Sequence, residues 1–515
     1  MIDASVADIA RRQARERPDD LALWFEGRTT TYAQLDARSS QCAQALLAAG
    51  VKPGERVGHL AKGNDDFFVL WFGALKAGAC LTPVNWRLAP PEIAFILKDA
   101  GAGLLVCGAD YAETVAGILA DCPAVRRVIQ FEPGHPTWPS FDDWIGQYPA
   151  TDPHLAADPD DDVIQLYTSG TTGLPKGVQL TERNYAALFE SAAVQWAKYD
   201  VGDAVLVVMP LFHVAGANVG MLALLQGAKA IVMREADAGK IIANIDQHRV
   251  RQVFLVPALI NMVMQHPSAS DADFASVEKI YYGASPISEE VLRRAQTVFG
   301  AEFTQLYGLT ETIGIATNLS PQAHADGRLR ACGVPSIGAE VRVWAADHPA
   351  AVGEVGEIQI RGPVVMKGYW NRPDATAEAI DAEGWFRSGD AGFFDADGYL
   401  FIHDRVKDMI VSGGENVYPA EVENAIFSHP DVADAAVIGV PDERWGEAVK
   451  AMVVLKAGAA ADPGAIIGHC RGLIAGYKIP KSVDFIEVLP RNPSGKVLRR
   501  ELRKPYWEGR GRLVG

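Results

Sequence analysis

The sequence predicts a mixed α/β protein. We expect a large N-terminal domain, built of two doubly wound α/β subdomains and a small β-barrel-like subdomain, followed by a small α+β domain. Three observations lead to this prediction. The chain has 515 residues, too many for a single hydrophobic core. Strand-like and helix-like patterns alternate over most of the chain, as in parallel sheets covered by helices. Between residues 330 and 403, closely spaced glycines replace that alternation.

The first alternating block ends near residue 170. Residues 31–49 are predicted to form a helix, because Thr31 is a suitable N-cap and Gly50 a suitable stop. Short apolar runs and amphipathic segments then alternate. The predicted strands here are 56–60, 79–84, 104–107 and 163–167, and the predicted helices are 65–76 and 91–99.

The second alternating block follows, and the chain then changes texture twice. Its predicted strands are 204–209, 230–233, 252–256, 279–282 and 302–305. Residues 330–403, with brief apolar runs such as 357–360, predict the small β-rich subdomain. After residue 407 the mixed pattern returns, with strands expected at 435–440, 451–455 and 483–488. We therefore predict an N-terminal domain over 1–404, a connection at 405–407 and a C-terminal domain over 408–515.

Composition excludes several classes of protein. The net charge of −16 disfavours nucleic acid as the main partner, because phosphate backbones attract basic surfaces. The six cysteines have no metal-like spacing and are expected to be buried in a reducing compartment. Residues 1–20 lack the apolar core of a signal peptide, and the most apolar run, 67–75, is too short to span a bilayer. A cytoplasmic protein is expected.

The segment 167–177, Tyr-Thr-Ser-Gly-Thr-Thr-Gly-Leu-Pro-Lys-Gly, is the most informative motif. It combines hydroxyl side chains, glycines and a lysine directly after a predicted strand, a chemistry suited to a polyphosphate. A Walker A loop is excluded, because Lys176 stands between Pro175 and Gly177 and 178–180 resumes as a strand. An ordinary surface loop is the simpler alternative, and the length and order of the motif disfavour it.

This segment resembles the phosphate loop of the acyl-adenylate-forming enzymes, which include acyl-CoA synthetases, luciferases and peptide-synthetase adenylation domains. The resemblance extends over nearly the whole chain, with the motifs in the same order. It implies that ATP and a carboxylic acid form acyl-AMP and pyrophosphate, after which a thiol displaces AMP. ATP and CoA would be cosubstrates and Mg²⁺ the cofactor. The ATP-binding residues that it implies in this loop are Thr168, Ser169, Gly170, Thr171, Thr172, Gly173 and Lys176.

A second motif, 307–312, follows a predicted strand, where α/β sheets bind ligands. A glutamate beside a triphosphate needs a divalent cation between them, so Glu311 is the expected Mg²⁺ ligand. By resemblance Thr310 contacts phosphate, and Tyr307 and Gly308 lie at the adenine. A capped helix start at Thr310 is a compatible alternative. Residues Gly283, Ala284 and Ser285 resemble the loop on which the adenine lies flat, although a plain turn would look similar.

The resemblance also assigns residues in the second half of the chain. Asp390 matches the ribose-binding aspartate, whose carboxylate accepts hydrogen bonds from both ribose hydroxyls. Arg405 matches a second nucleotide contact. Lys496 matches the adenylation lysine, which stabilises charge developing on the α-phosphate. Taken alone, each of these residues would be an ordinary surface charge.

A single C-terminal domain carries Lys496 and the residues implied for CoA binding. Gly413 and Gly414 would line the passage for the pantetheine arm, and Trp445 would stack on the CoA adenine. A core tryptophan is an equally good interpretation of Trp445. Since the two sets of residues serve different half-reactions, the domain is expected to be mobile and to pivot at Lys407, the family's hinge position.

The segment 211–220 matches the part of the family that lines the acyl pocket. His213 is expected to gate the carboxylate, although a buried core histidine is the usual interpretation. Its pocket neighbours would be Val214, Ala217, Gly308 and Gly314. No charged residue stands in this segment, so we expect an apolar acid. A medium- or long-chain fatty acid is the first choice, and an aryl or alicyclic acid is the alternative.

Two further alternatives stay open, an enzyme that loads a carrier protein and a non-catalytic nucleotide-binding module. Peripheral membrane contact and a monomer or homodimer are both compatible with the sequence.

Overall fold

The computed structural model describes residues 5–168, 175–285, 287–405, 408, 410–412, 415–442, 445–471, 473–474, 476–492 and 495–508. Its α-helices are α1 (Asp8–Glu16), α2 (Tyr32–Ala48), α3 (Asp66–Lys76), α4 (Pro90–Ala100), α5 (Ala112–Ile118), α6 (Phe141–Gly146), α7 (Glu182–Ser191), α8 (Val214–Leu225), α9 (Ala238–His248), α10 (Pro257–Gln265), α11 (Glu289–Phe299), α12 (Pro321–Ala325), α13 (Pro373–Ala379), α14 (Pro419–Phe427), α15 (Pro463–Arg471) and α16 (Arg499–Trp507).

Most strands lie in the first 335 residues, and the later ones, apart from β19, belong to two smaller sheets. The strands are β1 (Leu21–Phe25), β2 (Arg28–Thr31), β3 (Arg56–Leu60), β4 (Cys80–Pro83), β5 (Leu104–Cys107), β6 (Arg127–Gln130), β7 (Asp162–Thr168), β8 (Lys176–Thr181), β9 (Ala204–Val207), β10 (Lys229–Val232), β11 (Gln252–Leu255), β12 (Lys279–Gly283), β13 (Glu302–Tyr307), β14 (Thr317–Leu319), β15 (Val334–Pro335), β16 (Glu340–Ala345), β17 (His348–Pro349), β18 (Gly356–Arg361), β19 (Gly368–Tyr369), β20 (Phe386–Phe394), β21 (Leu400–Arg405), β22 (Ile410–Ser412), β23 (Glu415–Val417), β24 (Val432–Asp442), β25 (Gly446–Leu455) and β26 (Ser482–Phe485).

Two large sheets confirm the predicted α/β class. One has the strand order β15-β14-β13-β12-β11-β9-β10-β1-β2, and the run from β13 to β1 is parallel throughout. The other has the order β19-β8-β7-β4-β3-β5-β6, with a parallel run from β7 to β6. Helices between successive strands provide the crossovers that parallel strands require.

The predicted elements of the first block form where the sequence placed them. The Thr31 hydroxyl accepts a hydrogen bond from the Gln34 backbone, and the Gln34 side chain accepts one from Thr31, which is a complete capping box for α2. Gly50 follows the helix with φ +80°, a left-handed conformation that glycine adopts readily. The apolar run 67–72 lies entirely inside the core as part of α3.

One pairing in the large sheets was not predicted. The hairpin β1–β2 belongs to the sheet of the second block, where β1 pairs in parallel with β10. The N-terminal segment therefore crosses over to a sheet whose other strands come almost two hundred residues later. All six cysteines are buried, as expected.

Two smaller sheets complete the fold. The β-rich segment forms an antiparallel sheet in the order β17-β16-β18-β20-β21, so its described strands pair in a line rather than in a closed ring. The last sheet has the order β23-β22-β25-β24, with β26 parallel to β25. The predicted strands 435–440 and 451–455 lie within β24 and β25, which form one long antiparallel hairpin.

Buried apolar residues form separate cores. The largest cluster extends from Val6 to Leu400 and joins both large sheets with the β-rich sheet. A second cluster, between Ile410 and Val483, lies within the C-terminal sheet and its helices. None of the helices in the described part of the chain has both the length and the apolar character needed to cross a bilayer.

Candidate active site

The candidate site lies at the carboxyl ends of four neighbouring parallel strands. Strands β9, β11, β12 and β13 are consecutive in their sheet, and the chain leaves all four at the same edge. The residues that follow them include His213, Val256, Ala284 and Gly308. Loops at this edge of an open α/β sheet are the usual place for a ligand. The topology thus brings together segments that are more than ninety residues apart.

The phosphate-loop motif joins two paired strands of the other large sheet. Thr168, at the end of β7, pairs with Lys176, at the start of β8, so the motif connects two paired antiparallel strands. Of the predicted ATP-binding residues, five lie outside the described part of the chain, namely Ser169, Gly170, Thr171, Thr172 and Gly173. The Lys176 ammonium lies 4.8 Å from the centre of the Tyr369 ring.

Tyr369 connects Lys176 with the predicted magnesium ligand. Its hydroxyl donates a hydrogen bond of 2.9 Å to Glu311 Oε1. Burial, and then the negative charge of Glu311, raise the pKa of Tyr369, so the phenol stays a neutral donor. The Glu311 carbonyl oxygen also accepts a hydrogen bond from the Met366 backbone at 2.8 Å. Tyr369 was not predicted from the sequence, although the run Gly368-Tyr369-Trp370 is recognisable there.

The turn that carries Glu311 is short. Residues Thr310–Thr312 form a single 3-10 turn, and the Thr312 hydroxyl both accepts a hydrogen bond from the Leu309 N–H (3.0 Å) and donates one to the Leu309 carbonyl (3.2 Å). The capped-helix alternative for Thr310 is therefore wrong in detail, because Thr312 makes these contacts and no helix continues. Thr310, the first residue of the turn, is half-buried.

The residues present fit a magnesium ion that is held mostly by phosphate oxygens. The part of the chain that the structure describes contains no group of three or more acidic, histidine or cysteine side chains able to hold a metal. Mg²⁺ commonly takes one or two protein carboxylates and completes its shell with phosphate oxygens and water. Glu311 supplies one such carboxylate, and its hydrogen bond to Tyr369 fixes that carboxylate in orientation.

Tyr307 and Asp390, predicted to lie at the adenine and the ribose, are in direct contact. The Tyr307 hydroxyl donates a 2.8 Å hydrogen bond to Asp390 Oδ2, and both side chains are buried. Burial and the neighbouring carboxylate raise the pKa of Tyr307 well above its usual value. Asp390 pairs with Arg405 across β20 and β21, which brings the second predicted nucleotide contact to the same place on the backbone. The Arg405 side chain is outside the described part.

Two predicted glycines are required by backbone packing. A Cβ atom on Gly283 would lie 2.2 Å from the Leu306 carbonyl oxygen, and one on Gly308 would lie 2.3 Å from Gly314. We expected glycine at 283 because a side chain would keep the adenine from approaching. In the structure a side chain there would first collide with the neighbouring strand β13. Ala284 has φ +65°, which is strained for a residue with a side chain. Ser285 follows it, half-buried.

An enclosed apolar cavity of about 60 Å³ lies beside these strand ends. It is bounded by the first turns of α8, by the ends of β11 to β13 and by the end of α7. The predicted residues His213, Val214, Gly308 and Gly314 line it. The sequence analysis missed the wall residues that lie in no motif. They include Leu188, Trp196, Leu222, Phe254 and Tyr281.

Ala217 does not line the cavity, contrary to the sequence prediction. It is fully buried in the main core. On α8 the lining residues are 214, 215, 218, 219 and 222, which share one face of a helix with 3.6 residues per turn. Ala217 falls on another face.

His213 caps α8 at the mouth of the cavity. Its Nδ1 accepts a hydrogen bond of 3.2 Å from the Ala215 backbone N–H. Burial, and secondarily the positive charge of Lys496, lower the pKa of His213 to about 4, so the ring is neutral near pH 7.

The tip that carries Lys496 rests on the end of β11. A Cβ atom on Gly495 would lie 3.2 Å from Val256 Cγ2, which is close contact between the two regions. The Lys496 backbone N–H donates a 2.8 Å hydrogen bond to Asn492 Oδ1 and so shapes the tip. The structure therefore brings the tip that carries Lys496 to the strand end at Val256.

The predicted CoA contacts are only partly described. Gly413, Gly414 and the hinge residue Lys407 lie outside the described residues. Trp445 is 38% exposed, which contradicts the alternative of a core tryptophan. Its backbone N–H donates a 2.9 Å hydrogen bond to Asp442 Oδ1.

Comparison with known proteins places this geometry in a family. Residues 10–370 match the family described as AMP-binding enzyme, and residues 421–496 match the AMP-binding enzyme C-terminal domain. The fatty acid–[acyl-carrier-protein] ligase ScoC of Streptomyces coeruleorubidus is 40% identical, over 97% of this chain and 96% of its own. A feruloyl-CoA synthase of an Amycolatopsis species is 39% identical, over 96% and 98%.

A solved structure shows the same fold. The anthranilate CoA ligase AuaEII, in complex with anthranoyl-AMP, superposes with a TM-score of 0.91 at 26% identity, covering 98% of this chain and 97% of its own.

Proposed function

The chain belongs to the AMP-binding enzyme family and is an acyl-activating ligase, and on that premise we propose that it is an AMP-forming acyl-CoA ligase for an apolar carboxylic acid. It forms acyl-AMP from the acid and ATP, releases pyrophosphate, and then transfers the acyl group to CoA. The observation that carries this proposal is the close approach of the tip bearing Lys496 to Val256, at strand ends that adjoin an apolar cavity lined by His213.

In the first half-reaction the carboxylate oxygen attacks the α-phosphorus of ATP, and the bond to pyrophosphate breaks. Negative charge then builds on the non-bridging oxygens, and the Lys496 ammonium is placed to stabilise it. Tyr307 and Asp390 hold adenine and ribose, together with Gly283, Ala284 and Ser285. The hydroxyls and glycines of 168–173, with Lys176 and Thr310, bind the phosphates. Glu311 would hold a Mg²⁺ ion, which would neutralise charge on the leaving pyrophosphate.

His213 meets the acid at the entrance of its pocket. Because the ring is neutral near pH 7, it neither neutralises the carboxylate nor keeps it in an ion pair, and the carboxylate stays free to attack. The hydrogen bond at Nδ1 fixes the ring against the start of α8.

In the second half-reaction the CoA thiol attacks the acyl carbon, and AMP leaves. In the present arrangement the Lys496 tip covers the site near His213. The domain 408–515 is proposed to turn about Lys407 between the half-reactions, which brings Gly413 and Gly414 to the site. The exposed indole of Trp445 is suited to stack on the CoA adenine. A carrier-protein acceptor, as in the name of the relative ScoC, is the alternative that the exposed Trp445 disfavours.

The lining of the cavity supports an apolar acid. It holds no charged side chain, and its amide, Asn218, is already engaged by Tyr185 and the Ile313 carbonyl. At about 60 Å³ the cavity is smaller than the roughly 150 Å³ of an engineered cavity that binds benzene, so a fatty acid or an aryl acid alike would have to displace wall residues. A medium- or long-chain fatty acid is the first choice because the lining is apolar.

A second candidate substrate is an aryl acid. The cavity wall includes the indole of Trp196 and the ring of Tyr281, which meet edge-on with centroids 5.6 Å apart. Such a wall suits a planar aromatic substrate.

The test is pyrophosphate–ATP exchange with a panel of straight-chain, aryl and alicyclic acids, followed by thioester formation with CoA. Exchange that depends on the acid, and CoA consumption in the same samples, is the expected result. Exchange without thioester formation would support the carrier-protein alternative. No exchange with any acid, at a protein concentration that binds ATP, would overturn the proposal.

A further inference from the structure

Asp99 lies outside every motif of the sequence but is central to the structure around the phosphate loop. It stands in the last turn of α4, and its side chain is only 9% exposed. The carboxylate accepts a hydrogen bond from the Tyr167 hydroxyl (Oδ2, 2.8 Å) and one from Arg372 Nη2 (Oδ1, 2.6 Å). Its backbone carbonyl accepts a third bond, from Trp370 Nε1 at 3.1 Å.

The three partners of Asp99 belong to two segments. One leads into the phosphate loop, and the other follows Tyr369. Tyr167 directly precedes Thr168, at the end of β7. Trp370 and Arg372 directly follow Tyr369, whose hydroxyl holds Glu311. Asp99 therefore ties β7 to the segment that positions the predicted magnesium ligand. Neither segment is adjacent to α4 in the sequence.

A second layer of contacts makes this connection tight. The Arg56 guanidinium lies 3.4 Å from the Trp370 ring centre and donates a hydrogen bond of 2.9 Å to Gln165 Oε1 in β7. The Trp370 backbone N–H donates to the Gly177 carbonyl at 2.7 Å. A Cβ atom on Gly177 would lie 2.6 Å from Gln165 Nε2 and 3.0 Å from the Tyr167 ring. The hairpin thus has little room to shift while Tyr167 and Trp370 are held.

We propose that Asp99 is a positioning residue for ATP, which sets the distance between the hairpin ending at Thr168 and Lys176 and the segment carrying Tyr369. It does not touch the nucleotide. It acts through Tyr167, Trp370 and Arg372. The inference rests on the proposed function, because it takes this hairpin to carry the phosphate loop.

A purely structural role is the competing explanation, since a buried carboxylate with an arginine partner stabilises many folds without serving a ligand. The chain offers a matched control for it. Asp152 is 10% exposed, accepts two hydrogen bonds of 2.8 Å from Arg11 and lies 3.4 Å from the buried Lys76 ammonium. The substitutions Asp99→Asn and Asp152→Asn each remove one negative charge from a buried carboxylate with a cationic partner. The partners of Asp99 lie in β7 and at 370–372, whereas Arg11 and Lys76 lie in α1 and α3.

The experiment measures MgATP affinity by calorimetric titration, without acid or turnover, together with the thermal midpoint of each variant. We expect Asp99→Asn to weaken ATP binding by about ten- to a hundredfold, the scale on which small displacements of binding groups act. Asp152→Asn should lower the thermal midpoint by a similar amount and leave ATP affinity within about twofold of wild type. Tyr167→Phe, which removes one bond of the same set, should weaken ATP binding by a smaller factor.

Equal ATP affinity of Asp99→Asn and Asp152→Asn would overturn the inference, whatever their stability. The proposed function is read separately, from acid-dependent pyrophosphate exchange by the wild type. A wild type that binds ATP without exchange would refute the function and leave the affinity comparison decisive for Asp99. A wild type that does not bind ATP would refute both.

Discussion

The nucleotide side of the site and the acyl cavity share strand β13, but different interactions build them. On the nucleotide side, polar groups meet in pairs: Tyr307 with Asp390 at 2.8 Å and Tyr369 with Glu311 at 2.9 Å. The acyl cavity is enclosed by apolar side chains, and its one amide is turned to protein partners. Directed hydrogen bonds determine the geometry of the nucleotide side, and packed apolar side chains determine the shape of the acyl cavity.

This difference determines how each region responds to change. A hydrogen-bonded pair loses its geometry when one partner is removed, and a buried group without a partner costs free energy. An apolar wall tolerates changes of similar volume, and its outline then selects the substrate. We therefore expect nucleotide-side variants to lose rate or ATP affinity with every acid, and cavity variants to change which acid is preferred.

The largest effect is expected from Lys496→Ala. Removal of the ammonium that stabilises the α-phosphate should lower the adenylation rate by about a hundredfold to a thousandfold with every acid. Thioester formation from supplied acyl-AMP should stay near the wild-type rate, because we propose that this step uses Gly413 and Gly414 in place of Lys496. Lys504→Ala, an exposed lysine in α16, is the control. Equal loss of both half-reactions would contradict two separate domain positions.

Tyr369→Phe tests the polar pair that holds the magnesium ligand. Loss of the hydroxyl frees the Glu311 carboxylate, so we expect the KM for MgATP to rise about tenfold, a loss of roughly 1.4 kcal/mol. The apparent Mg²⁺ requirement should rise with it, and acid preference should not change. Tyr399→Phe is a suitable control, because that ring also lies near a cation, 4.3 Å from the Arg328 guanidinium carbon, but in the β-rich sheet. A changed acid preference would break the distinction between the regions.

Trp196→Leu tests the shape of the cavity. Trp196 ends a π-helical turn, Ala192–Trp196, and its indole N–H donates to the Ser191 hydroxyl at 3.2 Å. A smaller side chain should raise kcat/KM for longer acids relative to shorter ones by about tenfold, within the range that a methylene or two in a pocket contributes. The KM for MgATP should not change.

The control for that prediction is Trp144→Leu, a buried tryptophan in α6 away from the cavity. It should lower stability without changing the acid profile. Unchanged chain-length preference in Trp196→Leu, with a normal stability loss, would show that Trp196 does not limit the acyl pocket.

The same division explains what the sequence could predict. Motif residues that meet through hydrogen bonds, such as Tyr307 and Asp390, were identified because their residue types and order are distinctive. Trp196, Tyr281 and Asp99 were missed, because an apolar wall or a buried brace is defined by packing between segments far apart in the chain. The pairing of β1 with β10 was missed for the same reason. Ala217 was wrongly included, because the face that a helix presents depends on what packs against it.

The smallest expected effect concerns the pH dependence of stability at the boundary of the two regions. Burial and Lys496 lower the pKa of His213 to about 4, from 6.5 in the unfolded chain. The folded state therefore favours the neutral ring. The contribution of this ring to the free energy of unfolding is complete above pH 6.5 and is lost as the pH falls from 6.5 towards 4.

His213→Phe removes the titration, so its free energy of unfolding should fall less than that of the wild type between pH 6.5 and 5.5. The difference should be about 1 kcal/mol, measured by urea unfolding at both pH values. His154→Phe, at a surface position where the ring is 74% exposed, is the control and should follow the wild type. Parallel pH profiles for the wild type and His213→Phe would mean that the surroundings do not hold the His213 ring neutral. The proposal that a neutral His213 gates the substrate carboxylate would then lose its physical basis.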